Sequence, residues 1–210
     1  MKKGNKKQLF ITTLCTLLPL VVGLLLWNDL PTSMPVHFNF AGEPNGFAPK
    51  TMVIFGLNLF LAAIHLVTLY FVMNDPKNDN IGNKMFSVVT WVIPVIGNIT
   101  SYAIYAFALG YHINMTMIVA VLLGILFIVI GNYMTKNHQN YTVGIKLPWT
   151  LNSTENWNKT HRFASKLWIA CGFIAMIAGF LGYIGLFLAS IILPAILPII
   201  YSFVLYKQGI

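Results

Sequence analysis

Apolar residues along this chain come in long blocks and do not follow the short periods of a soluble fold. Apolar runs cover residues 9–27, 51–73, 85–109, 115–134, 163–181 and 182–205, with polar stretches at 28–50, 74–84, 110–114 and 135–162. About 20 apolar residues at 1.5 Å per residue cross a hydrocarbon core of about 30 Å, so each run predicts a membrane-spanning helix. The first run follows a basic head, Met1–Gln8. It ends in Trp27-Asn28-Asp29 where a cleaved leader would end in small residues, so it is expected to be retained. The last two runs are joined by little more than a turn near Gly179–Gly185. Pro19, Pro94, Pro194 and Pro198 lie inside runs and predict kinks or joints.

Composition agrees. The chain is 57% hydrophobic and 9% charged, where soluble domains carry about a quarter charged residues. The net charge of +8 is dispersed among apolar runs, which favours membrane lipids as partners and argues against direct nucleic-acid binding. Cys15 and Cys171 both fall in apolar runs and read as free thiols. With six spans, twelve of the thirteen lysines and arginines fall on one side, and Lys50 stands alone on the other. Positive charge marks the cytoplasmic side. The prediction is an all-α polytopic membrane protein, one domain over residues 1–210. Both termini are cytoplasmic, a folded extracytoplasmic loop lies between the first two helices, and residues 135–162 form a cytoplasmic segment.

The outer loop is rich in turn formers: Pro31, Pro35, Gly42, Pro44, Gly46 and Pro49. Short extended pieces broken by signals such as Asn45-Gly46 predict a folded cap. His37 and Glu43, with His112 from the next outer turn, are the residues a metal would need. No close ligand pair exists among them, so no metal is expected. The other reading of the loop is contact with an external peptide, for which Pro35, His37, Asn39, Gly42, Glu43 and Gly46 are the candidates.

The cytoplasmic segment contains Gly144-Ile145-Lys146-Leu147-Pro148-Trp149-Thr150-Leu151, then Trp157 and His161-Arg162. Pro148 biases Leu147 towards extended backbone. Ser153 or Thr154 can cap a helix starting near Glu155. Trp149 and Trp157 suit a membrane interface, with Arg162 and Lys166 reaching acidic lipid. The segment reads either as such an interfacial device or as a docking surface for a cytoplasmic partner. No nucleophile pattern accompanies His161, and Glu155 is the one nearby acid, so catalysis is not expected. Inside the spans, Asn58 and His65 share a helix face. His65 is a candidate by the cost of placing an ionisable group there, and interhelical hydrogen bonding is the alternative. The spans hold no acidic residue, which argues against a proton- or sodium-coupled pump. Ala175 with Gly179, and Ala178 with Gly182, predict close helix packing.

These strings resemble the SdpI/YfhL family of bacterial toxin-immunity membrane proteins, whose C-terminal signature reads G-[IL]-R-T-P-W-T-L, then W, then H-R. The segment from Pro35 to Gly46 is similar to the family's N-terminal P-x-H-[FW]-N…G-x-P-[DN]-G pattern. Lys146 and Leu147 depart from it, standing where arginine and threonine are usual, and lysine cannot make a planar two-pronged contact. The resemblance implies a non-enzymatic, multi-pass immunity protein of the bacterial plasma membrane, without cofactor, acting against a secreted membrane-active peptide toxin. In the best-known member the protein also senses the toxin and holds a small winged-helix repressor at the membrane, so a cytoplasmic repressor is the second implied partner. The competing class is a membrane enzyme or transporter acting on lipid or envelope precursors.

Overall fold

The computed structural model describes residues 6–210; the expected basic head at Lys2 and Lys3 lies outside the described residues. Six helices are long and apolar enough to cross a membrane: Lys6–Leu25 (α1), Met52–Met73, Asn83–Ala108 (α3), Met115–Met134 (α4), Thr154–Leu181 (α6) and Ile184–Lys207 (α7). The second opens as a π-helical stretch, Met52–Leu57, and continues as α2, Asn58–Met73. A short helix, α5, spans Pro148–Asn152. Two strands, β1 (Ser33–Phe38) and β2 (Pro44–Pro49), form an antiparallel hairpin between α1 and the second span. The described residues gather into two compact units, 6–70 with Thr90–Ile118 and Phe71–Val89 with Val119–Ile210.

In the first unit, Leu30, Met34, Val53, Ile54, Ala103, Ile104, Tyr105 and Met115 form a buried apolar cluster. Gly23 lets α1 approach it, because a Cβ there would lie 2.9 Å from both Ile54 and the Tyr105 hydroxyl. Asn58 ties the helices together. Its Nδ2 donates to Ile54 O at 2.8 Å, within the π-helical stretch, and to Tyr105 Oη at 3.0 Å. Ser101 Oγ donates to Asn58 Oδ1 at 3.0 Å, and Tyr105 Oη donates to Pro19 O at 3.1 Å. In lipid such bonds contribute about 0.6–1.7 kcal/mol each. Pro19 has no N–H, which leaves Cys15 O without its helical donor; Asn98 Nδ2 donates to it at 2.8 Å.

In the second unit, α4 and α6 pack through small residues. A Cβ at Gly124 would lie 2.6 Å from Gly172 O, and one at Gly179 would lie 2.1 Å from Ala120 Cβ. Ser165 Oγ donates to Gly131 O at 2.7 Å. Of the small residues expected to pack, Ala175 and Ala178 are fully buried, and Gly179 sits at this contact. Gly182 does not: it caps α6 in a left-handed conformation (φ 72°), and Tyr183 N–H returns to Ala178 O at 2.9 Å. Pro198 leaves Pro194 O without its helical donor, and Trp168 Nε1 donates to it at 2.9 Å. Two of the expected proline joints, at Pro19 and Pro198, are therefore bridged by side chains from other helices.

Candidate functional site

The hairpin reverses at Asn39–Glu43. Asn39 Oδ1 accepts from Ala41 N–H at 3.0 Å and Glu43 N–H at 2.9 Å, while Asn39 Nδ2 donates to Glu43 Oε2 at 3.0 Å. Gly42 takes φ 82°, a conformation that suits glycine. The expected turn pair Asn45-Gly46 instead lies inside β2, with Gly46 opposite His37. A Cβ at Gly46 would lie 2.9 Å from His37 Cβ, so the glycine makes room for that ring, which meets Asn45 Oδ1 through Nδ1. Pro35 is buried. Among the described residues no group of three or more His, Cys, Asp or Glu is placed to hold a metal, His37, Glu43 and His112 included. The hairpin's outward surface is made by residues the sequence reading passed over: Val36, Phe40 and Phe47 are 45%, 57% and 59% exposed. Lys50 does not face away from the protein. Its Nζ donates to Trp27 O at 2.7 Å and Leu30 O at 3.2 Å, and lies over the Trp27 ring.

The segment after α4 is folded inward on itself. Ile145 N–H donates to His161 Nε2 at 3.0 Å, so Nδ1 carries the proton and donates to Trp157 O at 2.8 Å. The imidazole is neutral in this arrangement. Trp157 is fully buried, stacks on His161 with ring centroids 4.0 Å apart, and donates from Nε1 to Asn137 O at 3.0 Å. An interfacial role for Trp157 is thereby corrected: its ring faces protein, not lipid. Gly144, at φ 126°, lies against this pair, and a Cβ there would be 2.6 Å from His161 Nε2. Leu147 is extended ahead of Pro148, the first residue of α5. Thr150 closes the turn, accepting from Leu147 N–H at 2.8 Å and donating towards Ile145 O at 2.8 Å. Leu151 N–H continues it to Leu147 O.

Trp149 Nε1 donates to Ser202 Oγ at 2.9 Å, and its ring stacks on Tyr206. A cleft of about 420 Å³ lies beside it, lined by Pro148, Trp149, Asn152, Ser153, Tyr206, Gly209 and Ile210. Ser153 caps α6, its Oγ accepting from Asn156 N–H at 3.1 Å. The helix starts well before the apolar run at residue 163. Its early turns are polar in composition but bury one face: Asn156, Trp157, Thr160, His161, Ala164 and Ser165. Lys146 and Arg162 are exposed.

Several residues that hold this region were not singled out from sequence. Asp75 is buried and accepts from Lys77 N–H at 2.7 Å and Tyr141 N–H at 3.0 Å, and also from the Thr142 hydroxyl. Asn140 Oδ1 accepts from Thr142 N–H and Val143 N–H, and Gln139 Nε2 donates to Thr150 O and Leu151 O. The available signal was the close spacing of three amide side chains, Asn137, Gln139 and Asn140, in a polar stretch expected on the same side of the membrane as Asp75-Pro76. In the membrane region Asn58 has the partners given above. His65 is fully buried, and neither ring nitrogen has a hydrogen-bond partner.

Six membrane-length helices, a β-hairpin and a locked inter-helix segment define a multi-pass helical protein of the bacterial plasma membrane. A family model described as the SdpI/YfhL protein family matches residues 136–202, the stretch that contains the Trp157–His161 pair. A second, a domain of unknown function (DUF1648), matches residues 14–62, which include the hairpin. The chain is 27% identical over 205 residues to the immunity protein SdpI of Bacillus subtilis (strain 168), covering 96% of this chain and 97% of that protein. No solved structure matches. Over residues 136–202 the chain is similar to the SdpI/YfhL family.

Proposed function

We propose that this protein protects its bacterium against a secreted, membrane-active peptide toxin. The observation that carries the reading is the end-to-end similarity to a protein named as an immunity protein, with 96% of this chain covered. The hairpin is the toxin-facing part in this reading. Asn39, Gly42, Gly46, His37 and Pro35 give it its shape, and Phe40, Phe47 and the exposed Glu43 carboxylate present its surface. The segment around Lys146, Trp149 and Arg162 faces the cytoplasm, where a repressor of winged-helix type would meet exposed cations and the cleft beside Trp149. His65 and Asn58 act as packing residues. The test is expression in a toxin-sensitive strain followed by toxin challenge. Survival well above that of the empty vector is expected; sensitivity equal to the vector's, with the protein present in the membrane at normal level, contradicts the proposal.

The orientation rests on the twelve-to-one division of lysine and arginine across six helices. Membrane-impermeant thiol labelling of whole cells, on a background lacking Cys15 and Cys171, is expected to reach Asn45→Cys and spare Asn152→Cys. Both positions are exposed on the protein. Labelling at 152 and protection at 45 would invert the assignment.

A further inference from the structure

We propose that Lys84, Lys136 and Tyr133 form a binding site for the phosphate of an anionic phospholipid. The two lysines come from separate stretches, one from the start of α3 and the other from just beyond the end of α4. Their ammonium groups lie 6.0 and 5.5 Å from the centroid of the same ring, that of Tyr133. The backbones carrying them are in close contact, since a Cβ at Gly82 would lie 3.0 Å from Lys136 O. The convergence is therefore set by main-chain packing as well as by two long, flexible side chains. Two like charges gathered on one ring repel each other, and the ring's negative face offsets only part of that. A phosphate diester between the ammonium groups would offset the rest.

The depth suits a lipid. Tyr133 stands where the apolar run of α4 gives way to polar chain, at the level where tyrosine rings meet lipid headgroups. Leu126 and Leu122 lie on the same face of α4 at helical spacing, towards the middle of the span, and offer half-buried apolar surface to an acyl chain. A free phosphate would match the charges but leave that surface unused. The site involves neither the hairpin nor the Trp149 cleft, so it is independent of the toxin reading.

Native mass spectrometry of the delipidated full-length protein, given equal amounts of phosphatidylglycerol and phosphatidylcholine, is the test. The wild type is expected to retain phosphatidylglycerol preferentially. Lys84→Gln and Lys136→Gln should each weaken that retention about fivefold, and the pair about twentyfold, with phosphatidylcholine unaffected. The pair Lys84→Arg with Lys136→Arg should keep it. A control pair, Lys146→Gln with Lys159→Gln, removes the same charge elsewhere and should leave retention unchanged. Thermal unfolding in the same detergent checks that each variant is folded, and either single variant carries the test if the double one is not. The proposal is overturned if the wild type does not prefer phosphatidylglycerol, or if the control pair loses as much as the site pair. It is also overturned if millimolar inorganic phosphate displaces the bound lipid, which would mark a site for a free anion.

Discussion

Trp157→Ala is expected to destabilise the protein by about 3–5 kcal/mol, the usual range for emptying a buried tryptophan site. The ring is fully buried and stacked on His161, and its Nε1 donates to Asn137 O. Truncation leaves a cavity and a carbonyl without its donor, and it frees the imidazole that accepts from Ile145 N–H. The loss should spread through residues 137–151, because the same segment holds Asp75 through Tyr141 and Thr142. Trp157→Phe keeps an aromatic ring but not the donor, and should cost less, about 1–3 kcal/mol. Gly144→Ala should resemble the alanine variant more than the phenylalanine one, since its methyl group would collide with both rings. Detergent-solubilised protein followed by thermal unfolding and by protease cleavage within 137–147 reads this directly. Unchanged stability in Trp157→Ala would show that the stack does not hold the segment.

The second large effect is expected at the contact between α4 and α6. Gly124→Leu should cost about 3 kcal/mol or more, at the upper end of overpacking changes. A Cβ at this position would lie 2.3 Å from Met176 Cγ and 2.6 Å from Gly172 O. Methionine can move, but the main chain of a packed helix cannot move without parting the pair. Gly185→Leu serves as the matched control, because a Cβ there meets nothing within 4 Å. Unfolding temperatures should fall sharply for the first and stay near wild type for the second. Equal behaviour of the two would contradict the tight glycine contact.

The six helices were legible because membrane spans announce themselves by length and apolarity, a demand that lipid places on every residue outside the interior. The start of α6 was legible from the capping residue Ser153 ahead of Glu155, but the burial of its polar first turns was not, because Trp157, His161 and partners far away in sequence decide it. The hairpin could be read from its prolines and glycines, but not its turn. Asn45-Gly46 has the stronger local signal, yet the space His37 requires places Gly46 in a strand and passes the reversal to Asn39 and Gly42. The glycine contacts of α4 and α6 were half visible. Ala175 and Gly179 stood out on one helix, whereas Gly124 and Gly131 were hidden in a run that looks uniformly apolar. Asp75 gave no signal of its own, since a single acid before a proline in a short loop is ordinary.

The proposed protective role divides the labour between two parts of the chain. Gly144, Trp157 and His161 hold a fold, Lys146 and Arg162 are free on its surface, and Phe40, Glu43 and Phe47 stand on the hairpin surface. In the proposed orientation the hairpin and residues 135–162 belong to opposite faces of a hydrocarbon core about 30 Å thick, which one ligand cannot bridge. The most direct measurement is survival under toxin across these variants, each normalised to the folded protein in the membrane. Trp157 and Gly144 variants should lose resistance only in proportion to the protein lost. Arg162→Ala and Lys146→Ala should retain resistance at full protein level, whereas Phe40→Ser, Phe47→Ser and Glu43→Gln should lose it at full protein level. If Arg162→Ala, folded and present at wild-type level, loses resistance as completely as the hairpin variants, the division is contradicted.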